Sequence, residues 1–180
     1  MTDQEIIRGI IRSDRQAMRA LYDQLAGRAM SVAMRYLADT DTARDVLHDS
    51  FVKAYTKAGQ FTYRGEGSLK AWVMRIVANE SVNTLRRQSK ITFTDQIPDL
   101  SDVGEPDIPP VPPDELNTMI MKLPPGYRTV LNLYVFEQKS HKEIAQQLGI
   151  KENSSASQFL RAKRMLAKMI EDYQRHNHDR

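Results

Sequence analysis

Two aspartates, Asp45 and Asp49, stand one helical turn apart in DTARDVLHDSFVKAYTKA, with Arg44 and His48 beside them. Paired carboxylates next to an imidazole are the raw material of a divalent-metal site or of general acid–base catalysis. A single helix gives this pair no third fixed ligand, so it reads as an acidic face for docking another protein. A second set of residues carries a different chemistry. In SLKAWVMRIVANESVNTLRRQ, Trp72, Arg75, Asn79, Asn83 and Arg86 recur at three and four residues, a stripe about 80° wide at the helical 100° per residue. Leu69, Val73, Ile76 and Val77 flank it on one side, and Ala71, Met74, Ala78, Val82 and Leu85 on the other. Asparagine offers a paired donor and acceptor to a base edge, arginine neutralises phosphate, and tryptophan stacks on an unpaired base. Taken singly, a tryptophan belongs in a core; the stripe as a whole suits nucleic acid.

The loop ahead of the stripe, FTYRGEGSLK, holds Arg64, Gly65, Glu66 and Ser68. Its glycines let the backbone approach a ligand closely, and Glu66 is able to accept from an exocyclic amine. The segment lacks the GK[ST] ending of a Walker phosphate loop. Near the other end, SHKEIAQQLGIKENSSASQFLRAKRML contains a capping box from Ser140 to Glu143, an apolar stripe of Ile144, Ala145 and Leu148, and Gly149 for a left-handed turn. A longer helix then starts at Asn153 or Ser154, completing a helix-turn-helix. Its wheel turns Ser155, Phe159, Ala162, Leu166, Met169 and Ile170 inward and Ala156, Ser157, Leu160, Arg161, Arg164 and Lys168 outward. The outward face has the small polar groups and cations that suit a major groove, although a solvated amphipathic helix has the same pattern.

The elements that must position these residues are helices. Apolar residues recur at three and four rather than two, predicting helices near 3–11, 14–37, 41–57 and 68–88, then a short one starting at Pro113, and others near 127–136, 140–148 and 154–172. Ser13 to Gln16 has capping-box spacing, and Asp39 to Thr42 offers several N-caps. Residues 89–113 hold most of the eight prolines and no helical period, so they read as a linker. The expected fold is all-α, with two small helical domains, 1–88 and 114–180, on either side of that acidic, proline-rich segment.

Composition narrows the function classes further. Among 180 residues there is no cysteine, which excludes disulfides, thiolate metal sites and a cysteine nucleophile. No window approaches the length of apolar chain that a membrane span needs, and MTDQEIIRGIIRSD is acidic where a signal peptide is basic, so the expectation is a cytoplasmic protein without membrane insertion. The net charge of +3 is unevenly spread: +1 over 1–57, +4 over 58–90, −7 over 91–117 and +5 over 118–180. Two basic zones around a stretch with no cation are the pattern of two nucleic-acid-facing modules on an acidic connector, although a solvated surface accounts for charges of this size and the motifs decide.

Together these segments resemble the extracytoplasmic-function (ECF) group of bacterial sigma factors of the sigma-70 family. ARDVLHDSFVKAYTKAGQFTYRGEGSLKAWVMRIVANESVNTLRR follows that group's D-x-x-Q-[DE]-x-F, F-R-G and [TA]-W-[LV]-x-[RK]-I-[AV]-x-N. LPPGYRTVLNLYVFEQKSHKEIAQQLGIKENSSASQFLRAKRML is similar to its L-P-x-x-x-R-x-V followed by a helix-turn-helix. The resemblance implies a sigma domain 2 four-helix bundle that grips the clamp of core RNA polymerase and opens the minus-10 promoter element. It also implies a sigma domain 4 that reads the minus-35 element. By position it places Asp45, Asp49 and Phe51 on the polymerase-docking helix, and Arg64 to Ser68 in a loop holding a flipped minus-10 base. Trp72, Arg75, Asn79 and Asn83 fall at the melted junction, and Ala156, Ser157, Gln158, Leu160 and Arg161 on the minus-35 element. Arg86 and Arg164 join these two sets from the helical wheels. The implied partners are core RNA polymerase, promoter DNA and an anti-sigma factor, with no catalysis, metal or cofactor of the protein's own. The linker is implied to thread the polymerase's basic RNA channel.

The sequence departs from the pattern at His48, where many relatives have glutamine, and in Phe61-Thr62-Tyr63-Arg64-Gly65, which stretches F-R-G. Ala156 and Gln158 stand where many relatives have cations, and Ser155 where they have an aliphatic residue. The main alternative is a conventional helix-turn-helix regulator with a helical sensor domain, which would need neither the stripe nor the glycine loop. A metal-dependent nuclease using Asp45, Asp49 and Glu66 is the rival from the enzyme class.

Overall fold

The computed structural model describes residues 1–88 and 110–178, all helix, turn and loop with no strand among them. The body of the linker, residues 89–109, and with it the channel-threading expectation, lies outside the described residues. The chain divides into two compact units, Met1–Leu85 and Arg86–Arg180.

The first unit is built from α1 (Asp3–Ile11), α2 (Arg15–Leu37), α3 (Thr40–Thr56), a 3-10 turn (Ala58–Gln60) and α4 (Ser68–Arg87). Each start has a local cause. Thr2 and Glu5 form a full capping box on α1, the Thr2 hydroxyl accepting from the Glu5 amide at 3.3 Å and the Glu5 carboxylate from the Thr2 amide at 2.8 Å. The α2 cap is Asp14, which accepts from the Gln16 amide at 2.8 Å, and not the expected Ser13, which sits in the left-handed region at φ 60°. A residue in that conformation turns the chain between helices and cannot aim its hydroxyl at the next helix's amides. Asp39 caps α3 through the Asp41 amide. Ile6, Leu21, Tyr36, Phe51, Val73 and Val77 are all nearly inaccessible to water. The helices α1 and α2 cross so closely that a Cβ on Gly9 would stand 2.5 Å from that of Ala17.

In α4 the two apolar flanks are mostly buried, with three departures: Ala71 is exposed, and Met74 and Ile76 are only half-buried. Glu80, Ser81 and Thr84, polar on the sequence, are buried instead. Glu80 is satisfied by an ion pair with Lys53 of α3, which ties the two helices together. A carboxylate with only 11% of its side chain exposed requires such a partner.

The second unit comprises α5 (Pro113–Met121), α6 (Pro125–Val135), α7 (His141–Leu148) and α8 (Glu152–His178). Prolines open both α5 and α6, where a missing amide hydrogen costs nothing. Arg128 is 5% exposed, and its guanidinium donates to the Met121 and Leu123 carbonyls at 2.9 and 3.0 Å. The arginine of L-P-x-x-x-R-x-V thus closes the end of α5, filling carbonyls that the helix itself leaves open. Ser140 and Glu143 form the expected capping box on α7, and Gly149 ends it at φ 68°. The core gathers Met119, Ile120, Leu123, Leu131, Ala162, Leu166 and Ile170, with Phe159 and Tyr173 packed against it. The expected end of α8 near residue 172 is short of the observed one, because Tyr173 still reaches that core and Arg175 pairs with Glu171 along the last turns.

Candidate nucleic-acid interface

In the first unit, the turn before α4 shapes a cleft. Gly65 and Gly67 adopt φ of 111° and 81°, a region closed to most side chains, with open space where a Cβ would be. The requirement at Gly65 is thus one of backbone conformation rather than room. Ser68, the first residue of α4, donates from its hydroxyl to the Gly65 carbonyl at 2.7 Å and accepts from the Arg64 amide at 3.3 Å. These bonds close the loop on itself and hold Arg64 beside the start of the helix. The result is an open cleft of about 320 Å³ lined by Gln60, Phe61, Thr62, Arg64, Ser68, Ala71, Trp72 and Arg75.

Trp72 is half-buried, its ring tilted 52° against Phe61 with centroids 5.3 Å apart. It is therefore anchored on one side and open to the cleft, which separates it from the core tryptophan that its residue type alone suggests. Arg64 and Arg75 supply two cations to the lining, which contains no carboxylate. Along α4 the stripe continues through half-buried Asn79 to exposed Asn83 and Arg86. The Asn83 amide lies 3.5 Å from the Glu80 carboxylate, so the part-buried Lys53–Glu80 pair also stands behind the stripe. Glu80 is the residue that sequence reasoning passed over; its only signal was a carboxylate at a core-facing position. Glu66 is exposed at the tip of the loop and does not line the cleft.

On α3, Arg44, Asp45, His48 and Asp49 form one exposed face. Among the described residues no three histidine, aspartate or glutamate side chains converge as a metal site requires. Phe51 does not share that face. It is 2% exposed, packed against Tyr22 at 4.9 Å and Tyr55 at 6.1 Å, because it falls about 160° around the helix from Asp49 and about 120° from Asp45, toward the bundle interior. It lies beneath that exposed face, inside the bundle.

In the second unit, the outward side of α8 presents exposed Ala156 and half-exposed Ser157, Leu160, Arg161 and Arg164. Arg161 donates to the Tyr127 hydroxyl at 3.3 Å. Gln158 is the exception among the expected contacts. It is 3% exposed, one turn from buried Ser154 and one from buried Ala162, which puts it on the inward side of the helix. The start of α8 is tied to α7 by His141, whose Nδ1 lies 2.9 Å from the buried Ser155 hydroxyl while its ring stacks on Tyr134 at 4.6 Å. Burial holds the His141 imidazole below its ordinary value, with Glu152 acting weakly in the other direction. The serine that replaces an aliphatic residue at position 155 is thus the partner of a histidine, not an unfilled core position.

Residues 21–91 match the family Sigma-70 region 2, and residues 114–166 match Sigma-70, region 4. The chain belongs to the sigma-70 family. The two matches fall in order on the two units just described, and together they span more than half of the chain. Among its relatives is the RNA polymerase sigma-H factor of Pseudomonas aeruginosa, 28% identical, with 94% of each chain covered. Another is the ECF RNA polymerase sigma-E factor of Haemophilus influenzae, 25% identical over 95% of this chain and 96% of the relative. A third, the ECF RNA polymerase sigma factor SigM of Mycobacterium tuberculosis, is 25% identical over 94% of this chain and 85% of its own. The chain is an ECF-type sigma factor by family. Among the described residues no helix is long and apolar enough to cross a membrane.

Proposed function

We propose that this protein directs core RNA polymerase to promoters, with domain 1–88 docking the polymerase and opening the minus-10 element and domain 114–180 binding the minus-35 element across a linker at 89–113. The observation that carries the reading is the cleft beside Trp72. It combines a half-buried aromatic ring, two arginines and a glycine turn, which are the groups that capture an unpaired base and its phosphate. In this reading Arg64, Gly65, Glu66 and Ser68 form the capture loop, and Trp72, Arg75, Asn79, Asn83 and Arg86 bear on the melted strand. Ala156, Ser157, Leu160, Arg161 and Arg164 face the minus-35 groove, and Asp45 and Asp49 face the polymerase. The protein works in the cytoplasm, performs no catalysis itself, needs no cofactor or metal, and is held in check by an anti-sigma factor.

The mechanism needs only differential binding. Duplex DNA hides its bases; once a base leaves the stack, Trp72 and the loop bind it, and that free energy holds the strands apart. Because no bond is made or broken, opening is an equilibrium that the polymerase and this domain pull together. The test is to combine the purified protein with core RNA polymerase and candidate promoter fragments. Transcripts that start only when both proteins are present support the reading. Tight, sequence-specific binding by the protein alone, without polymerase-dependent transcription, indicates the regulator instead.

A further inference from the structure

A second hollow lies next to the cleft. Phe61 has extended backbone, φ −73° and ψ 131°, and the residues up to Arg64 stay out of any helix. Successive side chains of an extended segment project to opposite sides. Thr62 and Arg64 accordingly line the cleft beside Trp72, whereas Tyr63 lines a separate hollow of about 210 Å³ whose other walls are Gln4, Ile7 and Arg8 of α1. Phe61 borders both, so the two spaces share one aromatic wall.

The second hollow contains what one nucleotide needs. Tyr63 is 42% exposed, a ring face left open to solvent. Arg8 and Gln4 are exposed, and Ile7 forms an apolar floor. Aromatic stacking, a cation for phosphate and an amide for a base edge are the elements of single-strand binding. The α1 wall is set in place beforehand, because α1 crosses α2 at Gly9 with no room for a methyl group and also packs on the 3-10 turn. We infer that this hollow holds a second unpaired nucleotide of the opened strand, adjacent to the one in the Trp72 cleft, with its base on Tyr63 and its phosphate at Arg8. The inference rests on the reading that the first unit opens the promoter.

The experiment uses the full-length protein with core RNA polymerase on promoters carrying a single abasic site at each successive position of the minus-10 non-template strand, and reads the half-life of the open complex. With the wild-type protein, abasic sites at two adjacent positions shorten the half-life, each by about tenfold, as loss of one stacked base implies. Tyr63→Ala abolishes the penalty at one of the two positions and keeps it at the other, while Tyr63→Phe retains both. Arg8→Ala shortens the half-life on every promoter and lowers its salt dependence. A penalty at only one position with the wild-type protein, or two penalties that survive Tyr63→Ala, overturns the second site and leaves the first intact. Failure of the wild-type protein to open even the undamaged promoter overturns both readings together.

Discussion

Trp72 shows how far a residue's type constrains its role. Its ring is half-buried on Phe61, so truncation removes part of a packing contact and, in the reading proposed above, the whole of a base platform. Trp72→Ala and Asn79→Ala are expected to abolish promoter opening while polymerase binding persists and thermal melting stays cooperative; unfolding of Trp72→Ala would place the ring in the core. Phe51 and Asp49, two positions apart, separate support from contact in the same way. Phe51→Ala should cost about 3–5 kcal/mol of stability, seen as a lower denaturant midpoint, because the ring is enclosed by Tyr22 and Tyr55. Asp45→Asn together with Asp49→Asn should leave that midpoint within about 0.5 kcal/mol and weaken polymerase binding in a pull-down at moderate salt. The stripe on α4 was legible because asparagines and arginines recur on a strict helical period. Phe51 and Gln158, expected among the contact residues, are buried, because a motif aligns positions without saying which way each faces. Gln158 in particular is polar, and only its one-turn spacing to Ser154 and Ala162 discloses the inward orientation.

Helix boundaries were legible where chemistry fixes them, as at Asp39, Ser140 and Gly149. They were less so at Ser13 and at the end of α8, where tertiary packing decides. The junction of α7 and α8 has a consequence that patterning does not disclose. His141 occupies the first turn of α7, where a positive charge opposes the helix dipole, and burial favours its neutral form. The folded imidazole therefore titrates below the unfolded value of about 6.5. Between those two values the unfolded chain binds more protons than the folded one, so stability rises with pH. The contribution is complete above about pH 6.5 and is lost as the pH falls through the window below it. Urea midpoints followed by circular dichroism at pH 7.5 and 5.5 should fall further with acid for the wild-type protein than for His141→Gln. An equal fall in both proteins would show that His141 titrates identically folded and unfolded.

At the scale of the molecule, each unit has buried apolar residues of its own. Residues 91–117 hold seven carboxylates and no cation. Replacing Asp95, Asp99, Asp102, Glu105 and Asp107 by their amides is expected to weaken holoenzyme assembly or alter early RNA synthesis, and the defect should resemble that of raised salt. Scrambling the same residues at constant charge should change little, and a neutralised linker that transcribes like the parent at every salt concentration would leave the segment a tether only. The separate cores also bear on how such a protein changes over generations. If neither half needs the other's side chains to fold, a substitution that ruins one recognition surface is expected to leave the other intact, and halves from different relatives to be exchangeable. A small set of inherited halves can then be recombined into many promoter preferences, so that new regulatory wiring arises by shuffling as well as by point substitution.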